Sequence, residues 1–217
     1  MARVLQNPEA FIRANTVGQD LPLVPEIRLY LAHELTPIWQ ASETELEQEG
    51  VPPPYWAFAW AGGQALARYI LDHPEVVAGA RVLDFAAGSG VQAIAAKMAG
   101  AEQVEASEID PFAIAAIDLN ARENGVEVEL LGDDVVGLDD GWDVVLAGDV
   151  CYEKPMAERV WDWLVRLRRR GADVLLGDPG RTYLPKQGLE RITAYSVKTT
   201  REIEDTDLRN AVVWRVE

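Results

Sequence analysis

Val82-Leu83-Asp84-Phe85-Ala86-Ala87-Gly88-Ser89-Gly90-Val91 runs from an apolar stretch into a turn of small residues and out into a helical period. The apolar run suits a strand covered on both faces, as in a parallel sheet flanked by helices. The small residues let the backbone approach a ligand closely, at the strand edge where open α/β sheets bind one. Outward from this unit, β-rich runs at 81–85, 103–108, 126–131, 142–148, 172–177, 191–200 and 211–216 surround helical periods at 64–71, 91–99, 111–124 and 155–170. Pro111 and Pro155 stand at helix starts, and Gly100, Gly125 and Gly171 just past helix ends. The pattern predicts an α/β fold: a Rossmann-like, seven-strand, mostly parallel doubly wound sheet. The last two runs have no long helix between them, so one of them enters antiparallel.

Upstream, Asn7-Pro8 reads as a cap and first turn for a helix over 8–14. Residues 26–32 alternate, with Ile27, Leu29 and Leu31 on one side, as in the half-buried strand of a small hairpin. The run 42–50 carries Glu43, Glu45, Glu47 and Glu49 and reads as an acidic loop, closed by Pro52-Pro53-Pro54. The division expected is an N-terminal accessory segment at 1–60 and a main domain at 61–217.

Among 217 residues, 36 acids oppose 20 bases, a net charge of −16 that repels phosphate backbones and favours a cationic partner over nucleic acid. One cysteine excludes an intrachain disulfide and suits a reducing compartment, and His33 and His73 lack zinc-site spacing, so no metal is expected. No apolar run is long enough to span a bilayer, and residues 1–14 lack the apolar core of a secretory signal, with Glu9 arguing against a transit peptide. The expected location is cytoplasmic.

Gly88-Ser89-Gly90-Val91-Gln92-Ala93 satisfies the G-x-G-x-x-A pattern of dinucleotide loops. Asp84 separates the readings, because a carboxylate at this strand end repels a pyrophosphate at the helix N-terminus and welcomes a cationic ligand. S-adenosylmethionine is such a ligand: it carries an ammonium and a sulfonium and no phosphate. Glu108, eighteen residues after Gly90, stands where an acid accepts ribose hydroxyls, and Asp133 stands where one accepts the adenine amine.

The run Val82 to Gly90, Glu108 before Ile109-Asp110-Pro111, and Asp149-Val150-Cys151-Tyr152 resemble the seven-strand class I methyltransferases, and within them the protein lysine methyltransferases with a D-x-x-Y motif. Pro54-Tyr55-Trp56-Ala57-Phe58-Ala59-Trp60-Ala61-Gly62-Gly63, with Gly177-Asp178-Pro179-Gly180-Arg181, is similar to one branch: the electron-transfer flavoprotein β-subunit lysine methyltransferases and their bacterial relatives. Ala61 departs from the Pro that many relatives carry before the two glycines. The resemblance implies a protein lysine methyltransferase using S-adenosylmethionine, its partner the flavoprotein β-subunit. It implies that Asp84, Gly88, Ser89 and Gly90 hold the methionine end, Glu108 the ribose and Asp133 the adenine side. Trp60 would flank the cofactor, and Asp149 and Tyr152 would line the lysine channel.

Methyl transfer to an amine needs alignment, desolvation and a neutral nitrogen rather than a nucleophile of the enzyme's own. A carboxylate beside an ammonium stabilises its charge, so Asp149 is expected to capture and orient the lysine, with the proton lost to water. Tyr152 and Trp60 add aromatic faces that attract cations. Asp178, Arg181 and Tyr183 are further candidates for substrate contact. Trp161, Trp163 and Cys151 are expected to pack in the interior, and Arg166, Arg168, Arg169 and Arg170 to form a solvated helix end. The rival readings are a methyltransferase of the same fold acting on a ribosomal protein, small amine or RNA, and a partner-binding module without catalysis. The absence of an N/D-P-P-Y motif argues against base amines, and Asp84 against a dinucleotide oxidoreductase.

Overall fold

The computed structural model describes residues 7–33, 36, 38, 52–199 and 208–217; the acidic run at 42–50 lies outside them. The main sheet is built from β3 (Arg81–Phe85), β4 (Gln103–Ser107), β5 (Glu129–Leu131), β6 (Val144–Gly148), β7 (Asp173–Asp178), β8 (Leu189–Lys198) and β9 (Leu208–Val216). Their order across the sheet is β5-β4-β3-β6-β7-β9-β8. The first five run parallel, and β9 inserts between β7 and β8, antiparallel to both. Seven strands with an antiparallel insertion near the C-terminus match the expectation.

The pleat sorts side chains between two layers. Val82, Leu146 and Leu175 face helices α2 (Ala61–Asp72) and α3 (Val91–Met98), packing with Leu66, Ile70 and Ala93. Their neighbours Leu83, Val145 and Leu176 face α5 (Lys154–Arg170), packing with Val160, Trp163, Leu164 and Leu167. This alternation is the period of two expected of a strand covered on both sides. Trp163 is buried and Trp161 packs partly buried against the same cluster, while the arginine-rich end of α5 closes at Gly171, left-handed at φ 115°.

The N-terminal segment folds as α1 (Pro8–Asn15), capped by the Asn7 side chain, and a hairpin of β1 (Val17–Asp20) and β2 (Arg28–Leu31). Ile27, Leu29 and Leu31 are buried as the alternation predicts, against Ile94 and Ala95 of α3 and Ala121 of α4 (Pro111–Glu123). Ile12 and Trp56 pack on Phe112 and Ala116 of α4. The segment therefore covers the outer faces of the two helices that follow the glycine turn and its acid.

Of the boundaries that differ from expectation, two have a physical reason in the hydrogen bonding. β5 starts at Glu129 rather than 126, because the Val126 amide donates to Ala121 O (3.0 Å) and closes the end of α4 instead of joining a ladder. α2 begins at Ala61 rather than Gln64, so Gly62 and Gly63 are helical although glycine disfavours a helix. Their amides have a partner from a distant part of the chain.

Candidate active site

The turn after β3 is shaped by left-handed backbone at Ala86 (φ 52°), Gly88 (φ 55°) and Gly90 (φ 80°). A β-carbon at Gly90 would crowd Ile117 at 3.1 Å, whereas at Gly88 it would meet open space, so Gly88 presents bare backbone on the side a ligand approaches. Ser89 is buried, and its carbonyl accepts from Asn120 Nδ2 (2.8 Å). Asn120 Oδ1 in turn accepts from the Tyr30 amide (2.8 Å), so one buried side chain ties the ligand turn to the N-terminal hairpin.

Asp84 lies behind this turn, completely buried, with Gln92 Nε2 donating to Oδ1 (2.9 Å) and the Ala93 amide to Oδ2 (2.8 Å). It locks the start of α3 to the end of β3. Burial pushes its carboxyl well above the ordinary aspartate value, opposed by the Ala93 amide and reinforced by the Glu108 charge. Glu108, at the tip of β4, accepts from the Gly88 amide (2.9 Å) and from the amide of Ile109 (3.1 Å). Burial raises its carboxyl too, the two amides working the other way. Beyond β5, Asp134 is held by the Val136 amide and by Arg159 (2.7 Å), while its neighbour Asp133 stands exposed at the strand tip.

Asp149 follows β6 in a left-handed conformation (φ 59°) that a non-glycine residue adopts at a cost. The residue is 8% exposed. Oδ2 accepts from the Gly62 and Gly63 amides (2.6 and 3.2 Å), the first turn of α2. Oδ1 accepts from Arg181 Nε and Nη2 (3.0 and 2.6 Å). The helix N-terminus can sit on the strand tips because there is no side chain between them: a β-carbon on Gly62 would collide with Gly177 O, and one on Gly177 with Gly62 O. A β-carbon on Gly63 would meet Val91 at 3.4 Å, so the start of α2, which holds the Asp149 carboxylate, lies close to the start of α3 where the glycine turn ends.

Three aromatic rings adjoin one another beside the Arg181 that pairs with this carboxylate. Trp60 caps α2, donates Nε1–H to Tyr55 O (2.9 Å) and lies under the Arg181 guanidinium, 5.5 Å from Cζ to ring centre. Tyr55 stands 6.1 Å from Trp60 and 5.9 Å from Tyr152, which is 47% exposed. Burial, with the neighbouring Tyr55 and Glu153, raises the Tyr152 hydroxyl. Cys151 is buried and pushed up to about 12 by burial and by the Asp178 and Asp149 charges, which leaves it without thiolate character at neutral pH. Asp178 Oδ1 accepts from the Gly180 and Arg181 amides (2.6 and 2.7 Å) and sets the turn that carries Arg181.

Of the predicted residues, Gly88, Ser89, Gly90 and Glu108 come together directly at one strand edge, with Asp84 behind them. Asp149, Trp60 and Tyr152 form a second group reached through α2. The pairing of Arg181 with Asp149 and the amides of Gly62 and Gly63 were not foreseen; the only sequence signal was that Arg181 follows a strand ending at the same edge.

The open backbone at Gly88, with its amide bound to an acid at the β4 tip, on a turn whose residues carry no cation, suits a phosphate-free cationic nucleoside and fits S-adenosylmethionine. Fold and site define a class I, S-adenosylmethionine-dependent methyltransferase. Residues 64–150 match the family model described as ribosomal protein L11 methyltransferase (PrmA). Over 97% of its length the chain is 38% identical to the electron transfer flavoprotein beta subunit lysine methyltransferase of Xenopus laevis, spanning 87% of that protein. To that of Homo sapiens it is 38% identical over 95% of the chain and 80% of that protein. The chain belongs to the electron transfer flavoprotein beta subunit lysine methyltransferase family. Among solved structures, magnesium protoporphyrin IX methyltransferase of Synechocystis PCC 6803 with bound SAH shares the fold at TM-score 0.54 and 15% identity, over 83% of this chain and 91% of that one. No helix among the described residues is long and apolar enough to cross a membrane.

Proposed function

We propose that the protein methylates lysine side chains of the electron-transfer flavoprotein β-subunit. The observation that carries the reading is the buried Asp149 carboxylate, held by the Gly62 and Gly63 amides at the start of α2 and paired with a guanidinium that lies over the Trp60 ring, with Tyr55 and Tyr152 alongside. Gly88, Ser89, Gly90 and Glu108 hold the cofactor, Asp84 sets their turn from behind, Trp60 flanks it and Asp133 serves the adenine side. When bound, S-adenosylmethionine supplies a methyl group on a sulfonium, an electrophile that an amine attacks only in its neutral form. Asp149 draws the lysine ammonium in and fixes its direction. Trp60 and Tyr152 contribute cation–π attraction of about 0.5–2 kcal/mol each, which like Asp149 favours the charged amine during capture; the proton then passes to water, and the neutral amine attacks the methyl group. Residues 1–60 act as an accessory segment to the 61–217 domain, and the site of action is the cytoplasm.

The test is transfer of label from radioactive S-adenosylmethionine to purified β-subunit, with ribosomal protein L11 alongside because of the family match over 64–150. The expected result is label on β-subunit lysines, with turnover falling at least about a hundredfold in Asp149→Asn, the scale at which positioning groups act. Label on L11 alone would reassign the substrate, and full turnover in Asp149→Asn would remove Asp149 from the reaction.

A further inference from the structure

Asp149 was read as the group that receives a cation, and in the structure a cation already sits there. The Arg181 guanidinium gives Asp149 Oδ1 two hydrogen bonds and lies over the Trp60 ring. A positive group held between that carboxylate and that indole is the arrangement assigned above to the substrate. We propose that Arg181 is an internal substitute for the target lysine: it occupies the lysine seat in the free enzyme, and the substrate enters by exchanging with it. The proposal rests on the reading of Asp149 and Trp60 as the lysine seat.

Three features support exchange. A buried carboxylate left without its counter-charge is strongly disfavoured, so a seat that swaps one cation for another keeps Asp149 compensated throughout. The side-chain exposures of 19% for Arg181 and 9% for Asp149 place the pair just inside the surface, where the guanidinium can leave and an outside cation can enter. A cavity of about 240 Å³, lined by Tyr152, Pro179, Gly180, Arg181, Thr182 and Arg209, adjoins Arg181 and offers the displaced side chain room. The backbone need not move, because Asp178 pins the Gly180 and Arg181 amides while the long side chain rotates.

Arginine suits this task chemically. Its guanidinium cannot shed a proton at physiological pH, so it fills the seat without becoming a nucleophile, whereas a lysine ammonium can lose its proton and react. It also screens the seat from small cations, because an incoming group must outcompete two charge-assisted hydrogen bonds to Asp149 Oδ1.

Two variants test this, after calorimetry has shown that each still binds S-adenosylmethionine. In Arg181→Ala the seat is permanently open, so KM for the β-subunit should fall about tenfold, the effect lying on KM rather than kcat, as removal of a competing closed state requires. Arg181→Lys puts a transferable amine in the seat. Incubated with labelled S-adenosylmethionine and no other protein, it should methylate itself at position 181, at a rate per molecule independent of protein concentration, with the site mapped by mass spectrometry. Either result supports the proposal. An unchanged or higher KM in Arg181→Ala, together with no label at position 181 in Arg181→Lys, overturns it. If the wild type methylates no protein offered to it, the substrate assignment fails, and label at position 181 decides this proposal by itself.

Discussion

Asp84 is a fully buried carboxyl just before the glycine turn, and the consequence of that burial can be measured against pH. Its folded-state carboxyl is raised well above the ordinary 3.8 because burial disfavours its charge. A group raised on folding contributes stability that is fully present below its unfolded pKa and is lost as pH rises through the folded value. The native chain therefore loses stability from Asp84 as pH climbs above the ordinary carboxylate range, and Asp84→Asn does not. The melting temperature of Asp84→Asn minus that of the wild type should increase with pH from 4 upward; a difference independent of pH would show that Asp84 keeps an unperturbed carboxylate. Ala86 offers a second measurement: it holds φ 52°, a region costly for any residue with a β-carbon. Ala86→Gly should raise unfolding stability in urea by up to about 1 kcal/mol, the relief of that strain less the entropy glycine adds to the unfolded chain. At this scale Gly88, Gly90 and Glu108 were legible because each follows a strand at a fixed short offset. The partners of Asp149 were not, since Arg181 lies 32 residues downstream and no periodicity links the two.

At the scale of elements, the contact that positions the site is the start of α2 against the tips of β6 and β7. Gly62 and Gly177 meet backbone to backbone, and Gly148 faces Gly63, where a β-carbon would come within 2.9 Å of Gly63 Cα. Gly62→Ala should therefore cost about 2–3 kcal/mol, as overpacking of a filled interior does, and abolish transfer by moving the Asp149 partners. Gly132→Ala, whose added methyl meets nothing within 4 Å, should leave the urea midpoint unchanged and serve as the control. A Gly62→Ala protein with wild-type stability would mean that α2 packs more loosely than these contacts require. The helix was expected from Gln64 because glycine pairs normally interrupt helices. Its true start depends on Asp149, 87 residues away, accepting the Gly62 amide that would otherwise lie unsatisfied.

The molecule as a whole carries −16, a field that attracts a basic partner and weakens as salt shortens its reach. The kcat/KM for a lysine-bearing protein substrate should fall as ionic strength rises from about 10 to about 150 mM, while the affinity for S-adenosylmethionine changes much less. A salt-independent kcat/KM would show that the charge serves solubility alone. The strand and helix succession, the glycine turn, the acid at the β4 tip and the amphipathic N-terminal strand were all determined by the amino-acid sequence itself. Each is a local signal of apolar period, turn chemistry or cap, written within a few residues of the structure it specifies. Only the tertiary structure decided that the last strand enters between β7 and β8, that Asn120 bridges the hairpin to the turn after β3, and that Arg181 pairs with Asp149 over the Trp60 ring. Those contacts join segments made neighbours by strand order across the sheet, and such distances are set by the packing of the whole core.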